Sequence, residues 1–455
     1  MRCAKILLFL AFIGCTVIPG RAAKTNVLVW QAANDRVSAD VRGEQLFPLL
    51  EDIAHQTGWH IFVEPEAART VDVKFANLPT GDALHKLLGG LNYALVPQTN
   101  GPNFLYVFTT TMQNATRPVI VAKAKPKHTS NELMVRVKPG TDIDALAKKL
   151  GAKVVGRNDK LHMYLLDFSD QTSTDAALTQ LQNDSDVEAV DYNYIMDPPV
   201  TPQAVANAPV SAPKLTLDAP TDNDPCSPVI GLIDTQVQPL GNGLDQFMMS
   251  PVSVVGNTTP VTGNITHGTA MVYAITKALS QSTGGHTTAR ILPVDVYDSG
   301  DTTTSWDVAL GVQAAVNGGA TVLNMSLGSS DNSTVLDDVI QQALSQGVVI
   351  FAAAGNTPVT TPTYPAAISG VNAVTALGAP GQLASYANDG SFVEMALPGT
   401  SYAYLGNQAY MVQGTSSATA YATGIAAGTK SVNCQGWSQI EGAMAQKFPV
   451  PTSAQ

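Results

Sequence analysis

Three largely apolar runs constrain this chain more than any other feature. One, Pro228-Val229-Ile230-Gly231-Leu232-Ile233, ends in Asp234-Thr235; another, 320–325, leads into Ser326-Leu327-Gly328; the third, 347–354, leads into Gly355-Asn356. A run without polar alternation fits a strand buried on both faces of a parallel sheet, which requires helices on both sides. Two helix patterns suit that role: AMVYAITKAL after Thr266-His267-Gly268-Thr269, and the small-residue stretch 420–428 after Gly414-Thr415-Ser416-Ser417-Ala418. The runs predict an α/β domain over 226–455 built on a doubly wound, mostly parallel sheet. Open sheets of this kind place their sites beyond the C-terminal ends of strands, where Asp234 stands.

Two small α+β domains are expected ahead of it. Over 24–112, strand patterns at 26–30, 60–64, 71–75, 93–97 and 104–109 alternate with helical spacing at Leu46, Leu49, Leu50 and Ile53 and, behind Thr80, at Ala83, Leu84, Leu87 and Leu88. Residues 113–130 read as a Pro- and Lys-containing linker in which His128 is solvated. Over 131–196 the order is strand 133–137, helix 142–150, strands 153–155 and 163–168, helix 174–181 and strand 187–194, which suits a ferredoxin-like split βαβ unit. From 197 to 225 the chain is rich in Pro and Ala and lacks periodicity, so it reads as an exposed linker where cleavage is cheap.

Residues 1–23 have the form of an export signal: Arg2 and Lys5, an apolar stretch from Ile6 to Ile18 too short to span a bilayer, then small Gly20 and Ala22. A minor alternative makes Cys15, in Phe12-Ile13-Gly14-Cys15, a lipid-anchored first residue. Both readings place the protein outside the cytoplasm, in the periplasm or beyond. There Cys226 and Cys434 have two open readings, a disulfide bracketing the last domain or two unrelated buried thiols. Residues 226–455 carry 12 Asp and Glu against 4 Lys and Arg, a net of −8, which argues against the basic footprint of nucleic-acid binding.

Taken singly, the polar motifs have bland readings. Asp234 can be a strand-ending turn residue, His267 a capping or surface side chain, and Ser416 a helix cap. His286, in Gly-Gly-His-Thr, reads as an exposed loop residue. Together, Asp, His, Asn and Ser in that chain order resemble the subtilisin-like serine peptidase family over 226 to about 445, an order that chymotrypsins and α/β-hydrolases do not share. The stretches ELMVRVKPGTDIDALAKKLGAKVV and LQNDSDVEAVDYNYI resemble the family's inhibitor-type propeptide. The run LFPLLEDIAHQTGWHIFVEP through VKFANLPTGDALHKLLGGLNYAL resembles the short N-terminal domain of secretins and TonB-dependent receptors, which implies a cell-envelope partner.

The resemblance implies a triad of Asp234, His267 and Ser416, an oxyanion hole of Asn356 and the Ser416 N–H, and a substrate-binding edge at Ser326, Leu327 and Gly328. Ala352, Ala353 and Ala354, with Gly355, would leave room in a mostly apolar pocket for the side chain before the cut bond. It implies protein or peptide substrates, autoprocessing, and inhibition by the chain's own propeptide. The chain departs from the pattern at Gln236, where Gly is usual, at Thr266, where Gly or Asp often precedes the His, and at Ala420, where Pro is common. No cofactor is expected; Asp295, Asp298 and Asp301, in a Gly/Ser-rich loop, could bind calcium or simply be solvated, and they form no clear site. The rival reading is a non-catalytic envelope-binding protein on a relict protease fold.

Overall fold

The structure, a computed structural model, describes residues 27–31, 36–57, 59–65, 67–96, 103–119, 127–197, 199–205, 212–219, 225–256, 261–297, 302–378 and 381–451. The expected leader with Cys15, as well as Asp298 and Asp301, lies outside the described residues. The chain divides into two compact units, Met1–Pro118 and Val119–Gln455. Among the described residues no helix is long and apolar enough to cross a membrane.

The larger unit is built on a seven-stranded parallel sheet ordered Val252–Ser253, Arg290–Asp295, Val229–Asp234, Val322–Met325, Val349–Ala353, Asn372–Leu377 and Met395–Pro398. Successive residues face opposite cores, which is why the runs carry no polar alternation. Ile230, Leu232, Val322 and Phe351 pack beneath the helices His267–Thr283 and Thr415–Asn433. Ile233, Leu323, Met325 and Ile350 pack beneath Ser305–Asn317 and Thr334–Ser345. The chain enters at Val229–Asp234 and then builds outward on both sides. The switch point therefore falls between that strand and Val322–Met325, with Asp234 and Ser326 at their ends. Cys226 and Cys434 form a disulfide across 208 residues. By loop-closure entropy such a link removes about 5 kcal/mol of freedom from the unfolded chain.

Ahead of this sheet, four antiparallel strands in the order Val187–Tyr194, His128–Val137, Met163–Asp167 and Lys153–Asn158 carry the helices Ile143–Leu150 and Gln171–Leu181. The strand His128–Val137 starts earlier than expected, and His128, expected in the linker as solvated, is half-buried against Tyr192 at 4.1 Å. The other face of these strands docks on the helices of the large sheet. Met134, Met163 and Leu165 join Trp306, Val308 and Val312 in one core. Asp191 accepts from Thr334 N at 2.6 Å and Val335 N at 3.2 Å, and Asn193 Oδ1 accepts from Trp306 N at 3.0 Å. Two helix N-termini, whose first N–H groups lack internal partners, are thus capped from outside.

The expectation of a free linker over 197–225 is corrected on its described residues. Asp197 N–H donates to Gly328 O at 2.8 Å. Gln203–Val205 pairs antiparallel with Gln408–Gln413, and Thr216–Leu217 pairs in parallel with His286–Thr287. Backbone pairing, which needs no apolar period, holds this segment, aided by Val200, Ala212, Leu215 and Leu217, which pack against the core.

The first unit joins Val27–Gln31, Arg36–Gln45 and Thr70–Leu78 into an antiparallel sheet beside the helices Leu46–Thr57 and Thr80–Leu88. A second sheet places His60–Val63 parallel to Phe104–Phe108, which runs antiparallel to Asn92–Val96. Arg36–Gln45 was not expected as a strand, although buried Val37, Ala39 and Val41 alternate with polar neighbours. Buried Glu64 ties together the C-terminal ends of the two parallel strands of this second sheet. Its carboxylate accepts from the Thr110 hydroxyl, from Thr109 Oγ1 at 2.7 Å, and from Thr110 N at 2.9 Å and Thr109 N at 2.5 Å. The Thr110 and Thr109 hydroxyls hold its pKa down to about 2. A depressed carboxylate stabilises the fold above its unfolded pKa, and that stability is lost as pH falls through its folded value. The protection of amides within 46–110 against hydrogen exchange, taken relative to the intrinsic rate at each pH, should therefore fall between about pH 4.5 and 2 in the native chain. In Glu64→Gln the protection should already be low at neutral pH, with a shallower acid dependence.

Candidate active site

Asp234 ends the central strand and is buried, and its position follows from the apolar run that anchors that strand between two cores. Its carboxylate accepts from Thr235 N at 2.7 Å and faces His267 Nδ1 at 2.8 and 2.9 Å. A carboxylate only accepts, so Nδ1 carries a hydrogen, and in the neutral form of the ring Nε2 is the basic nitrogen. Nε2 is buried and has no hydrogen-bond partner among the described residues.

His267 is the first residue of its helix, with Thr266 as the cap accepting from Thr269 N. Gly268 N–H donates to Thr235 Oγ1 at 2.8 Å, and a Cβ on Gly268 would strike the Thr235 carbonyl oxygen. The positions that depart from the family pattern join this contact. Thr266 Oγ1 donates to Gln236 O at 2.6 Å, and Gln236 Oε1 accepts from Val261 N at 3.2 Å. Buried Gln238 accepts from Thr266 N at 2.9 Å and donates its own N–H to Thr269 Oγ1 at 2.8 Å. A set of side-chain bonds therefore clamps the start of the histidine helix to the loop behind Asp234.

Ser416 is the second residue of the Thr415–Asn433 helix and is buried. This helix lies against the histidine helix closely enough that a Cβ on Gly424 would sit 2.5 Å from Ile275 O and 2.6 Å from Ala278 Cβ. Further along, Gly428 meets Ser282 and Thr283. Contacts that advance together along both chains mean that the helices run parallel. Gly424 follows Ser416, and Ile275 follows His267, by the same two-turn interval, so the two residues stand level at one end of the pair. The Ser416 hydroxyl donates to Ser326 O at 3.3 Å and not to His267. Ser326 Oγ in turn donates to Ser416 O at 3.1 Å, and Asn324 and Thr423 extend this buried chain at 2.9 and 3.0 Å.

Asn356 presents Oδ1 to Thr415 N at 2.8 Å, which leaves the Nδ2 end for the cleft that Asn356 and Ser416 both line. Its loop is fixed by Asn388, which the sequence did not single out. Fully buried, Asn388 donates Nδ2 to Ala354 O at 2.7 Å, while its Oδ1 accepts from Thr357 N at 3.0 Å and Val359 N at 3.3 Å. Gly355 adopts φ +106°, and a Cβ there would strike the Asn388 amide. Nothing local in Tyr386-Ala387-Asn388-Asp389 signals this, since every partner of the Asn388 side chain is some 30 residues away.

The cleft has a volume of about 240 Å³, and Ser326, Leu327, Gly328, Ala353 and Gly355 line it with Ser416 and Asn356. Of the three alanines expected there, Ala353 alone lines it. Ala352 points into the core beneath the opposite helices, and the Ala354 carbonyl is taken by Asn388 and Thr363. Asp197, Pro199 and Val200 also line the cleft, so the chain's own segment lies in it. His286 faces Asp218 at 3.1 Å on an exposed edge, apart from this cleft. Asp295 bonds Ser253 Oγ at 3.0 Å, and the described residues contain no cluster of three or more His, Cys, Asp or Glu able to hold a metal ion.

Residues 227–448 match the family model described as the subtilase family, and 114–193 match that of the fervidolysin N-terminal prodomain. The thermophilic serine proteinase of Bacillus sp. (strain AK1) is 29% identical over 335 residues, covering 70% of this chain and 82% of that protein. Thermitase of Thermoactinomyces vulgaris is 33% identical over 202 residues, 43% of this chain and 72% of it. The thermostable alkaline protease of Halalkalibacterium halodurans is 34% identical over 37% of this chain, which spans 47% of that protein. Among solved structures, fervidolysin from Fervidobacterium pennivorans, a keratinolytic enzyme related to subtilisin, superposes with a TM-score of 0.54 at 18% identity. That match covers 72% of this chain and 62% of the other, and shows the fold. The chain belongs to the subtilase family of serine endopeptidases.

Proposed function

We propose that this chain is an exported serine endopeptidase made as a zymogen, with Asp234, His267 and Ser416 as its catalytic triad. The observation that carries the reading is the His267 ring, held through Nδ1 by Asp234, with a bare, buried Nε2 level with Ser416. In the reaction, Ser416 Oγ attacks the carbonyl carbon of the bond to be cut while Nε2 takes its proton. Positioned proton transfer of this kind contributes about 10²–10⁴ in rate. The oxyanion that forms is held by the Ser416 N–H and Asn356 Nδ2. The imidazolium, steadied by Asp234, returns the proton to the leaving amine, and water repeats the cycle on the acyl-enzyme. Every reacting group is this chain's own. Substrate lies extended along Ser326–Gly328, as Asp197 does through its bond to Gly328 O.

The unformed His–Ser bond accords with a precursor. The α+β domain over 128–194 docks on the helices Ser305–Asn317 and Thr334–Ser345, on the face of the sheet opposite the triad helices, and the segment that follows it fills the cleft, so proteins and peptides are excluded until it leaves. Activation then needs Ser416 Oγ to turn from Ser326 O to Nε2. For the first unit we propose a role in docking to the cell envelope, on the sequence resemblance alone. Cell fractionation tests it: the native chain should stay with the envelope and a chain lacking 24–112 should be released, while equal release of both removes the role.

Incubation of the processed protein with a fluorophosphonate should label it, and Ser416→Ala should abolish labelling and accumulate as uncleaved precursor. A folded, processed native chain that takes no label would instead favour the relict-fold binding protein. Asn356→Ala should lower kcat by about 10²–10³ with little change in KM. Asn388→Ala should lower kcat through the same donor, and so add little in the Asn356→Ala background. Full additivity of the two would make Asn388 merely structural.

A further inference from the structure

The chain's own segment shows where a long substrate continues after the cut. It enters beside the substrate edge, where Asp197 N–H meets Gly328 O at 2.8 Å. Pro199 and Val200 then line the cleft with Ser416 and Asn356. Val200 Cγ2 comes within 3.4 Å of where a Cβ on Gly414, two residues before Ser416, would stand. Past the nucleophile the segment does not leave the surface. Gln203, Ala204 and Val205 pair antiparallel with Met411, Tyr410 and Ala409, and Gln408 Nε2 donates to Val205 O at 3.0 Å.

The strand that receives it, Gln408–Gln413, runs directly into Gly414 and the Ser416 helix, so its place relative to the nucleophile is fixed. Its opposite edge is fully paired with Thr400–Leu405. Once the occupying segment departs, one row of backbone N–H and C=O groups on 409–411 is left without a strand. Such an edge is a template for extended polypeptide of any sequence, because the main chain makes the bonds. The resident residues, Gln-Ala-Val, bring no bulky anchor, which fits recognition through the backbone.

We propose that the outer edge of Gln408–Gln413 is a substrate-docking strand for the polypeptide on the leaving side of the cut bond, engaging it about four to six residues beyond that bond when Val200, beside Gly414 and Ser416, is taken to stand for the first residue after it. The site takes extended, unfolded protein chain and leaves short peptides unserved. The proposal rests on the peptidase reading above and extends it to substrate length.

The test uses the full-length chain, expressed and allowed to process, with fluorogenic peptides identical before the cut bond and carrying two, four, six or eight residues after it. The value of kcat/KM should rise about tenfold between the two shortest and the two longest, mainly through KM, as a few added main-chain hydrogen bonds would give. N-methylation of the backbone nitrogens at the fourth to sixth residues should return the long peptides to the short-peptide value. A profile flat with length, as when the resident segment stays on the strand after processing, overturns the proposal, and so does a gain that survives N-methylation. Absence of cleavage of every peptide, together with absence of fluorophosphonate labelling, would instead bring down the peptidase reading itself.

Discussion

A carboxylate and an imidazole bonded at 2.8 Å, each about 2% exposed, set the terms for the rest of this molecule. Burying such a pair is costly unless the geometry is good and the remaining polar atoms are satisfied. The fold meets that demand from both sides. Asp234 is fixed by a strand locked between two cores, and His267 by a helix start clamped through Thr235, Gln238 and Thr266. Small residues where the helices touch, Gly424 above all, then let the serine helix run beside the histidine helix at backbone contact. Without that approach, two side chains 149 residues apart in sequence would not share one end of a helix pair.

The surroundings of the site are polar inside an apolar shell. Asn324, Ser326, Thr423 and the Ser416 carbonyl form one buried chain, and Asn388 fastens the Asn356 loop through five bonds. Buried networks of this kind rigidify only when fully satisfied, so each member constrains the others. The substrate side works differently. It offers edges of main chain, at Gly328 and at 409–411, and both hold the chain's own segment. On the proposed reading, inhibition and substrate capture use the same backbone surface, which accounts for a segment without apolar pattern being ordered across it.

What could be read in advance depended on range. The parallel sheet was legible because burial on both faces leaves its mark within each strand, as in Val229–Asp234. Asp234, His267, Asn356 and Ser416 stood out only through their shared order. Asn388 and Gln238 did not stand out, because their roles lie wholly in partners distant in sequence. The pairing of Cys226 with Cys434 was undecidable from spacing and is settled by their 4.8 Å Cα separation. The docking of Gln203–Val205 was invisible for a further reason: strand addition uses the backbone, and side chains need not record it.

The central claim is that Ser416 is the nucleophile, with Asn356 and His267 placed about the charge it creates. A crystal structure of the processed protein with a peptide aldehyde or boronate tests it most directly. The account expects a covalent bond to Ser416 Oγ, with the adduct oxygen at about 2.7–3.1 Å from both Asn356 Nδ2 and the Ser416 N–H. It also expects His267 Nε2 within hydrogen-bond reach of the adduct and residues 197–205 gone from the cleft. An inhibitor bound to another side chain, or an adduct whose oxygen turns away from Asn356, would contradict it.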